Sequence, residues 1–484
     1  MMKEYDLISI GTGSAMNIVV TMLEKNPNLK VAVIDKDEPG GICLTRGCIP
    51  SKILLYPAEM VRIIERANEL GIDVQVSKID FKKIMERMRS HVYEEIDMIR
   101  NGLSQSKNID YYRDIAEFVE PYVLKVGNNV TIKSKMIFLC TGSKTIIPPI
   151  KGLQEVKYHT SDTVLFMDEL PQSIAIIGCG YIGAEYGHFF SSMGSDVTMI
   201  GRNNQFLPGE EPEVSALAKR ELGKHMTIIT NHEVIEVSKA NNNQKEKVLI
   251  AHNASNGEGK IITAQEILVA AGRGPNTDIL HPDRAGIMTD ENGWIVVDDY
   301  LETSQPNIWA FGDANGVFLF KHKANYESQV VYYNAVLKKK VKKYYDAVPH
   351  AVFTHPEVAA VGLDERTALQ KYGEENILLG IARYEDTAKG AAMGIKDYFV
   401  KVIVKKNTLH ILGAHIVGPD ASVLIQEIIN IMYTTQENTA KPILNAMHIH
   451  PALSEVVQRS FSSLMDLHEY HHVIEKHYGL SSSK

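Results

Sequence analysis

Cysteine is scarce in this chain. Four residues in 484 are too few for a disulfide framework to hold the fold together. No apolar stretch approaches the ~20 residues that a membrane span needs. Residues Met1-Met2-Lys3-Glu4-Tyr5-Asp6 lack the apolar core of a secretion signal and run straight into a strand-like segment. Basic charge is not in excess either. The formal net charge of −8 argues against nucleic acid or an anionic membrane as the main partner. These absences leave a cytoplasmic enzyme as the expectation, with thiols kept reduced by their surroundings. What is present fits that class: 44% hydrophobic and 23% charged residues, and length for about three domains.

Two of the four cysteines stand together in Gly40-Gly41-Ile42-Cys43-Leu44-Thr45-Arg46-Gly47-Cys48-Ile49-Pro50-Ser51-Lys52. Thiols separated by four residues on a glycine-bounded segment can close into a small loop disulfide, the labile and catalytic kind. The alternatives are two unpaired core cysteines or half of a metal site. A zinc site needs further Cys or His ligands at short spacing, and none lie nearby, so no metal is expected.

The segment follows a nucleotide-binding pattern. Leu7-Ile8-Ser9-Ile10 reads as a buried strand and leads into Gly11-Thr12-Gly13-Ser14-Ala15-Met16. The first glycine permits a tight turn. The second lets a pyrophosphate approach the start of the next helix, where free N–H groups favour anions. The following strand Val31-Ala32-Val33-Ile34 ends on Asp35, where a carboxylate can take ribose hydroxyls. Met16 departs from the pattern, since glycine or alanine normally lets helix and strand pack closely there. A second unit is complete. Ser173-Ile174-Ala175-Ile176-Ile177 precedes Gly178-Cys179-Gly180-Tyr181-Ile182-Gly183, then a helix, then Asp196-Val197-Thr198-Met199-Ile200. Two dinucleotide turns imply two cofactors. A dithiol beside the first implies electron relay between nicotinamide, flavin and disulfide.

Carrying these motifs together, the chain resembles the flavin-dependent pyridine nucleotide–disulfide oxidoreductases over essentially its whole length. Residues Gly41 to Lys52 are similar to that family's redox signature. Leu139-Cys140-Thr141-Gly142-Ser143 and Val269-Ala270-Ala271-Gly272-Arg273 resemble its two strand-ending turns, and Thr303 to Asp313 resembles its second flavin motif. The resemblance implies tightly bound FAD held through Gly11, Gly13, Ser14, Asp35, Thr141, Gly142 and Asp313. Lys321-His322-Lys323-Ala324 would pass beneath the flavin ring. NAD or NADP would lie on Gly178, Gly180, Tyr181, Ile182, Gly183 and Gly272. Cys43 would be the thiol that meets substrate and Cys48 the one nearest the flavin, giving a charge-transfer contact. Lys52, one helical turn beyond Cys48, would lie near the flavin and pair with Glu185. His448-Ile449-His450-Pro451-Ala452-Leu453-Ser454-Glu455 is similar to the family's His-Pro segment. There His450 would act as base and Glu455 would orient it. In the family this histidine serves the other subunit's disulfide, which implies a homodimer.

The resemblance also implies the architecture, an α/β fold with two Rossmann-like dinucleotide-binding domains and a C-terminal α+β dimerisation domain. Residues 1–150 and 273–349 would form the FAD-binding and central part, 151–272 the inserted NAD(P)-binding domain and 350–484 the dimerisation domain. The substrate expected is a small dithiol–disulfide couple. Dihydrolipoamide is favoured by Phe206 to Glu213, His448 and Ser454, which resemble dihydrolipoyl dehydrogenase. The alternative is an NADPH-dependent reductase of a low-molecular-weight disulfide. Gly201 stands where an NAD site would present a carboxylate, and Arg202 offers a cation to a 2′-phosphate. Gly11 to Asn17, Tyr158 to Asp162 and Pro451 to Leu453 resemble mycothione reductase. Mercuric reductase is disfavoured, because no cysteine follows Ser460. A diaphorase subunit that has lost disulfide chemistry is the remaining possibility; it predicts damage to Cys43, Cys48, His450 or Glu455, and all four are intact. The run Lys338 to Lys343 reads as a solvated helix end.

Overall fold

The computed structural model describes residues 2–240, 246–434 and 438–479. Two five-stranded parallel sheets and one six-stranded antiparallel sheet organise the chain. In the first, the strands run in the order Ile308–Ala310, Ile137–Leu139, Leu7–Ile10, Val31–Ile34, Ile109–Tyr112, all parallel. Leu7–Ile10 and Val31–Ile34 consist of buried residues throughout. Strands covered on both faces require such continuous apolar runs. The intervening helix Ala15–Lys25 buries Ala15, Ile18, Val19 and Met22, the one-sided spacing of a helix laid on a sheet. Met16 is partly buried in the same cluster, so the larger side chain is accommodated on the helix flank.

The second sheet repeats this plan with His159–Thr160, Glu266–Val269, Ser173–Ile177, Asp196–Ile200 and Thr227–Ile229. In both sheets the chain leaves the central strand toward one neighbour and returns later on the other side. Gly11 and Gly178 therefore lie at switch points, where crevices open at the carboxyl ends of the strands. The chain crosses between the two units twice, through Ser143–Thr145 and Arg273–Pro275, and these segments pair antiparallel.

The helix Tyr181–Met193 buries ten of its thirteen residues, which marks it as enclosed on nearly all sides. It packs against Cys48–Glu65. The C-terminal part is built on the antiparallel sheet Pro349–Val352, Val358–Gly362, Ile411–Val417, Phe399–Lys405, Ile377–Arg383, Leu464–Met465, covered by the helices Ala421–Thr434 and Ser454–Ser462. The lysine run lies just beyond the helical turn Tyr332–Val336, with Lys342 paired to Asp299 at 2.8 Å. Among the described residues no helix is long and apolar enough to cross a membrane.

Candidate active site

Cys43 lies in the short helix Gly41–Thr45, and Cys48 opens the helix Cys48–Glu65. The glycine before this loop is required by space. Gly41 has φ +72°, and a Cβ there would sit 2.8 Å from the Cα of Gly13. The redox loop thus rests directly on the first nucleotide turn. Both cysteines carry free thiols, close enough to hydrogen-bond. That bond from Cys48, with the nearby Lys321 and Lys52 ammonium groups, draws the first ionisation of the pair down to about 7 against the desolvation that opposes it. Loss of the second proton is pushed far up by the bond to Cys43, by burial and by the adjoining charge. The pair therefore takes one negative charge near neutral pH, and the helix N-terminus at Cys48 favours it.

Lys52 projects from the next turn of that helix. Its ammonium bonds both carboxylate oxygens of Glu185 at 2.8 Å and lies over the Phe353 ring at 4.5 Å. Phe353 N–H donates to the same carboxylate at 3.1 Å. The Lys52–Glu185 pairing expected from the sequence is therefore present, and it ties the redox helix to the second nucleotide-binding helix and the C-terminal sheet.

A cavity of about 540 Å³ joins these groups. Its lining takes in Gly11, Gly13, Ser14 and Asp35, then Cys43, Cys48 and Lys52, then Thr141, Gly142 and Asp313, and finally Gly180, Tyr181, Ile182, Glu185 and Gly272. Ser14 precedes the helix Ala15–Lys25; its hydroxyl bonds Asn325 at 2.8 Å and receives Lys321 at 3.0 Å. Among the described residues the buried Thr141 hydroxyl has no partner, and Thr141 lines the cavity. Asp313 accepts from Ser143 at 2.5 Å, and Arg273 donates to both the hydroxyl and the carbonyl of Ser143. This donor set and the close-packed glycine turn fit an extended flavin dinucleotide. Asp35 accepts from the backbone and hydroxyl of Thr12 at 3.0 and 2.5 Å, and burial pushes its carboxyl up.

Gly178, Gly183 and Arg202 stand outside that lining. Gly183 has a packing duty, since a Cβ there would meet the Gly178 carbonyl at 2.2 Å. Arg202 is exposed. Tyr181 stacks on His350, with ring centres 5.3 Å apart.

His450 lies apart from the cysteine pair, outside the cavity lining, with 68% of its side chain exposed. Its Nδ1 bonds Glu455 at 3.0 Å, and Glu455 also accepts from Ala452 N–H. These bonds hold the Glu455 carboxyl below its ordinary range, with His450 the largest cause. Nδ1 donates, which leaves Nε2 free to take a proton. His448 is paired to Glu427 at 2.9 Å.

Several polar groups near the site escape sequence reading. Lys323 and Glu327 form an ion pair at 2.9 Å with both side chains fully buried. Glu327 also accepts from Gly312 N–H, Asn315 and Tyr345, so this network supports the turn that carries Asp313. The i, i+4 spacing of Lys323 and Glu327 was the available signal, but it is equally the pattern of a solvated surface pair. Arg46 bridges Asp37 at 2.5 Å and Asp162 at 3.3 Å. Glu211, Glu213 and Glu365 converge at 2.6–3.3 Å on the buried Lys401 ammonium.

Comparison with known proteins agrees with this geometry. Residues 5–352 match the pyridine nucleotide-disulphide oxidoreductase family and residues 348–461 its dimerisation domain. Mycothione reductase of Mycobacterium tuberculosis is 33% identical over 477 residues, 96% of this chain and all of that protein. Dihydrolipoyl dehydrogenase of Synechocystis is 32% identical over 472 residues, 95% of this chain and 98% of that one. The Cu(II) complex of the HOCl-induced flavoprotein disulfide reductase RclA from Escherichia coli superposes with a TM-score of 0.83 at 28% identity, covering 95% of this chain and 99% of its own. The chain belongs to the pyridine nucleotide–disulfide oxidoreductases, flavoprotein enzymes that use FAD and NAD(P)H.

Proposed function

We propose that the protein oxidises dihydrolipoamide, or reduces lipoamide, as a dihydrolipoyl dehydrogenase working as a homodimer. The observation that carries the disulfide chemistry is the joint presence of the Cys43–Cys48 pair, the Lys52–Glu185 ion pair and the His450–Glu455 pair. In the forward direction the partner's His450 takes a proton from a substrate thiol, and the thiolate attacks Cys43 Sγ of the oxidised pair. The Cys43–Cys48 bond breaks and Cys48 leaves as thiolate. The second substrate sulfur displaces Cys43 from the mixed disulfide and gives its proton to the departing Cys43. This closes the substrate's own disulfide and leaves the reduced pair as one thiol and one thiolate, with the partner's His450 protonated. FAD, held by the residues lining the cavity, supplies the two-electron store between sulfur and nicotinamide. Lys52 balances negative charge beside that store, and Glu185 holds Lys52 in place. The same reading divides the chain into 1–150 with 273–349, 151–272 and 350–484.

Lipoamide is an uncharged, largely aliphatic couple, and the exposed apolar side chains next to His450 suit it. Met447 and Ile449 are exposed in the segment that carries His450. A second reading, an NADPH-dependent reductase of a low-molecular-weight disulfide, is favoured by Gly201 and Arg202 and by the mycothione reductase relatives. One assay grid separates the two: NADH or NADPH against lipoamide and a panel of small disulfides, with Cys43→Ser as control. Turnover of lipoamide well above every other couple is expected. Inertness toward lipoamide with either nicotinamide sinks the first reading, and full turnover by Cys43→Ser sinks both.

A further inference from the structure

The two nucleotide-binding units are built to one plan, and the same pair of positions is filled in opposite ways. In the first, Ile10 is registered against Ile34, Gly11 N–H donates to Ile34 O at 2.7 Å, and Asp35 follows. In the second, Ile177 is registered against Ile200, Gly178 N–H donates to Ile200 O at 2.8 Å, and Gly201 follows. Gly201 is thus the counterpart of Asp35, and Cys179 is the counterpart of Thr12. Thr12 holds the Asp35 carboxylate through its N–H and its hydroxyl. Cys179 does the reverse. A Cβ placed on Gly201 would lie 2.7 Å from both Cβ and Sγ of Cys179. Rotating the thiol relieves only the sulfur contact, because Cys179 Cβ is fixed to the backbone. Cys179 itself is buried, and its carbonyl accepts Leu207 N–H at 2.9 Å, so the turn has little room to retreat. Gly201 is not in the left-handed region. Its backbone would accept a side chain, and space alone forbids one.

We infer that Cys179 and Gly201 form a steric lock that keeps a ribose-reading carboxylate out of the second dinucleotide site, so that nicotinamide selectivity is set by the pair and not by Arg202 alone. A carboxylate at this position is what accepts the 2′-hydroxyl of NAD, and one there repels a 2′-phosphate. With the position closed, a bare 2′-hydroxyl has no acceptor from the strand end, while the exposed Arg202 next along the chain stays available to a phosphate. The inference rests on the reading that the Gly178–Gly183 turn holds the nicotinamide dinucleotide.

The test is a double-mutant cycle on the FAD-loaded dimer: wild type, Gly201→Asp, Cys179→Gly and the double variant, in which the fixed Cβ at position 179 is gone. The readouts are calorimetric affinity for ADP and for adenosine 2′,5′-bisphosphate, and anaerobic flavin reduction by NADH and by NADPH. Gly201→Asp alone is expected to weaken binding of both nucleotides and to lower the thermal midpoint, because the new side chain displaces the turn. The double variant is expected to recover the NADH side and to swing the NADH/NADPH ratio by roughly 10- to 100-fold, the span of one hydrogen bond to a charged group. If the double variant does not fold, Cys179→Gly/Gly201→Asn offers the same room with an uncharged acceptor and is expected to show the same coupling between the two positions. Additive effects, with Gly201→Asp alone raising NADH use as far as either double variant, overturn the lock. A wild type that prefers NADH would refute the 2′-phosphate preference, and the cycle would still decide whether the two positions are coupled.

Discussion

The ionisation of the cysteine pair gives the most direct access to the site, because a thiolate alkylates and a thiol does not. Hydrogen bonding from Cys48, then the charges of Lys321 and Lys52, bring the first ionisation from an ordinary thiol value of 9.0 to about 7. At pH 7 about half of the reduced molecules then carry a thiolate, against about 1% for an unperturbed thiol of that starting value, an excess of about 50-fold. The measurement is the rate of iodoacetamide modification of the reduced holoenzyme between pH 5 and 10, with the modified cysteine located by mass spectrometry. A single midpoint near 7 is expected, with the second thiol silent until far more alkaline pH. Cys48→Ala removes the largest cause and should raise the midpoint most. Lys321→Gln should raise it by up to about one unit, the scale of an opposite charge just beyond direct contact, and Lys321→Arg should restore it. A wild-type midpoint near 9, or a Cys48→Ala midpoint still near 7, would refute the reasoning.

Other consequences follow from burial and pairing. His355 is desolvated and held neutral, its pKa down to about 4 from 6.5. Above pH 6.5 neither folded nor unfolded chain is protonated there and the stability is complete; between 6.5 and 4 only the unfolded chain binds the proton, so urea unfolding should show roughly 3 kcal/mol lost across that window, less in His355→Gln. Lys401→Met strands Glu211, Glu213 and Glu365 around an empty centre and should cost about 3–5 kcal/mol, read as a falling denaturation midpoint; a midpoint equal to wild type would show that the network contributes nothing. Glu455→Gln should slow the disulfide half-reaction by about 10²–10⁴-fold, as for a lost or mis-set general base, with flavin reduction by nicotinamide unaffected; equal slowing of both halves would remove Glu455 from a proton-handling role.

What could be read in the sequence was local or carried by spacing. Cys43, Cys48 and Lys52 lie on one continuous segment, and His450 and Glu455 are five residues apart, so their pairings are set by the chain's own geometry. The two glycine turns announce themselves because backbone proximity leaves few residue choices. The remainder of the site is made by long-range contacts that spacing does not encode. Arg273 reaches Ser143, and Ser143 reaches Asp313, across more than a hundred residues each. The i, i+4 spacing of Lys323 and Glu327 is shared by solvated surface pairs, and only the surrounding fold shows the pair buried. The closeness of Cys179 to Gly201 is likewise a long-range contact that spacing does not encode. His450 is legible as a base from its Glu455 partner, yet it stands outside the cavity that holds Cys43 and Cys48.

The segment Phe206 to Glu213 has a structural duty of its own. In the sequence it favoured the lipoamide reading. In the fold its carboxylates are spent on holding the second nucleotide-binding unit to the C-terminal sheet. Glu210 accepts from His350 at 2.7 Å. Glu211 faces His415 at 3.5 Å, accepts from Glu365 N–H and lies 3.3 Å from Lys401. Glu213 bonds Lys401 and Tyr470, both at 2.6 Å, which hold its carboxyl down at about 2. A bond set of this kind fixes the second nucleotide-binding unit against the C-terminal sheet, whatever the disulfide outside. Its partners Lys401 and Tyr470 are buried within the chain, and His350 stacks on Tyr181 at the second nucleotide turn, so the segment bears on nucleotide binding more directly than on the disulfide. The weight of the substrate assignment rests instead on exposed apolar side chains in the segment that carries His450. If lipoamide is the couple, replacing Met447 with Glu or Ile449 with Glu should raise its KM, while substitutions at Glu210 should alter nicotinamide binding through His350 and Tyr181 and leave the lipoamide KM where it was.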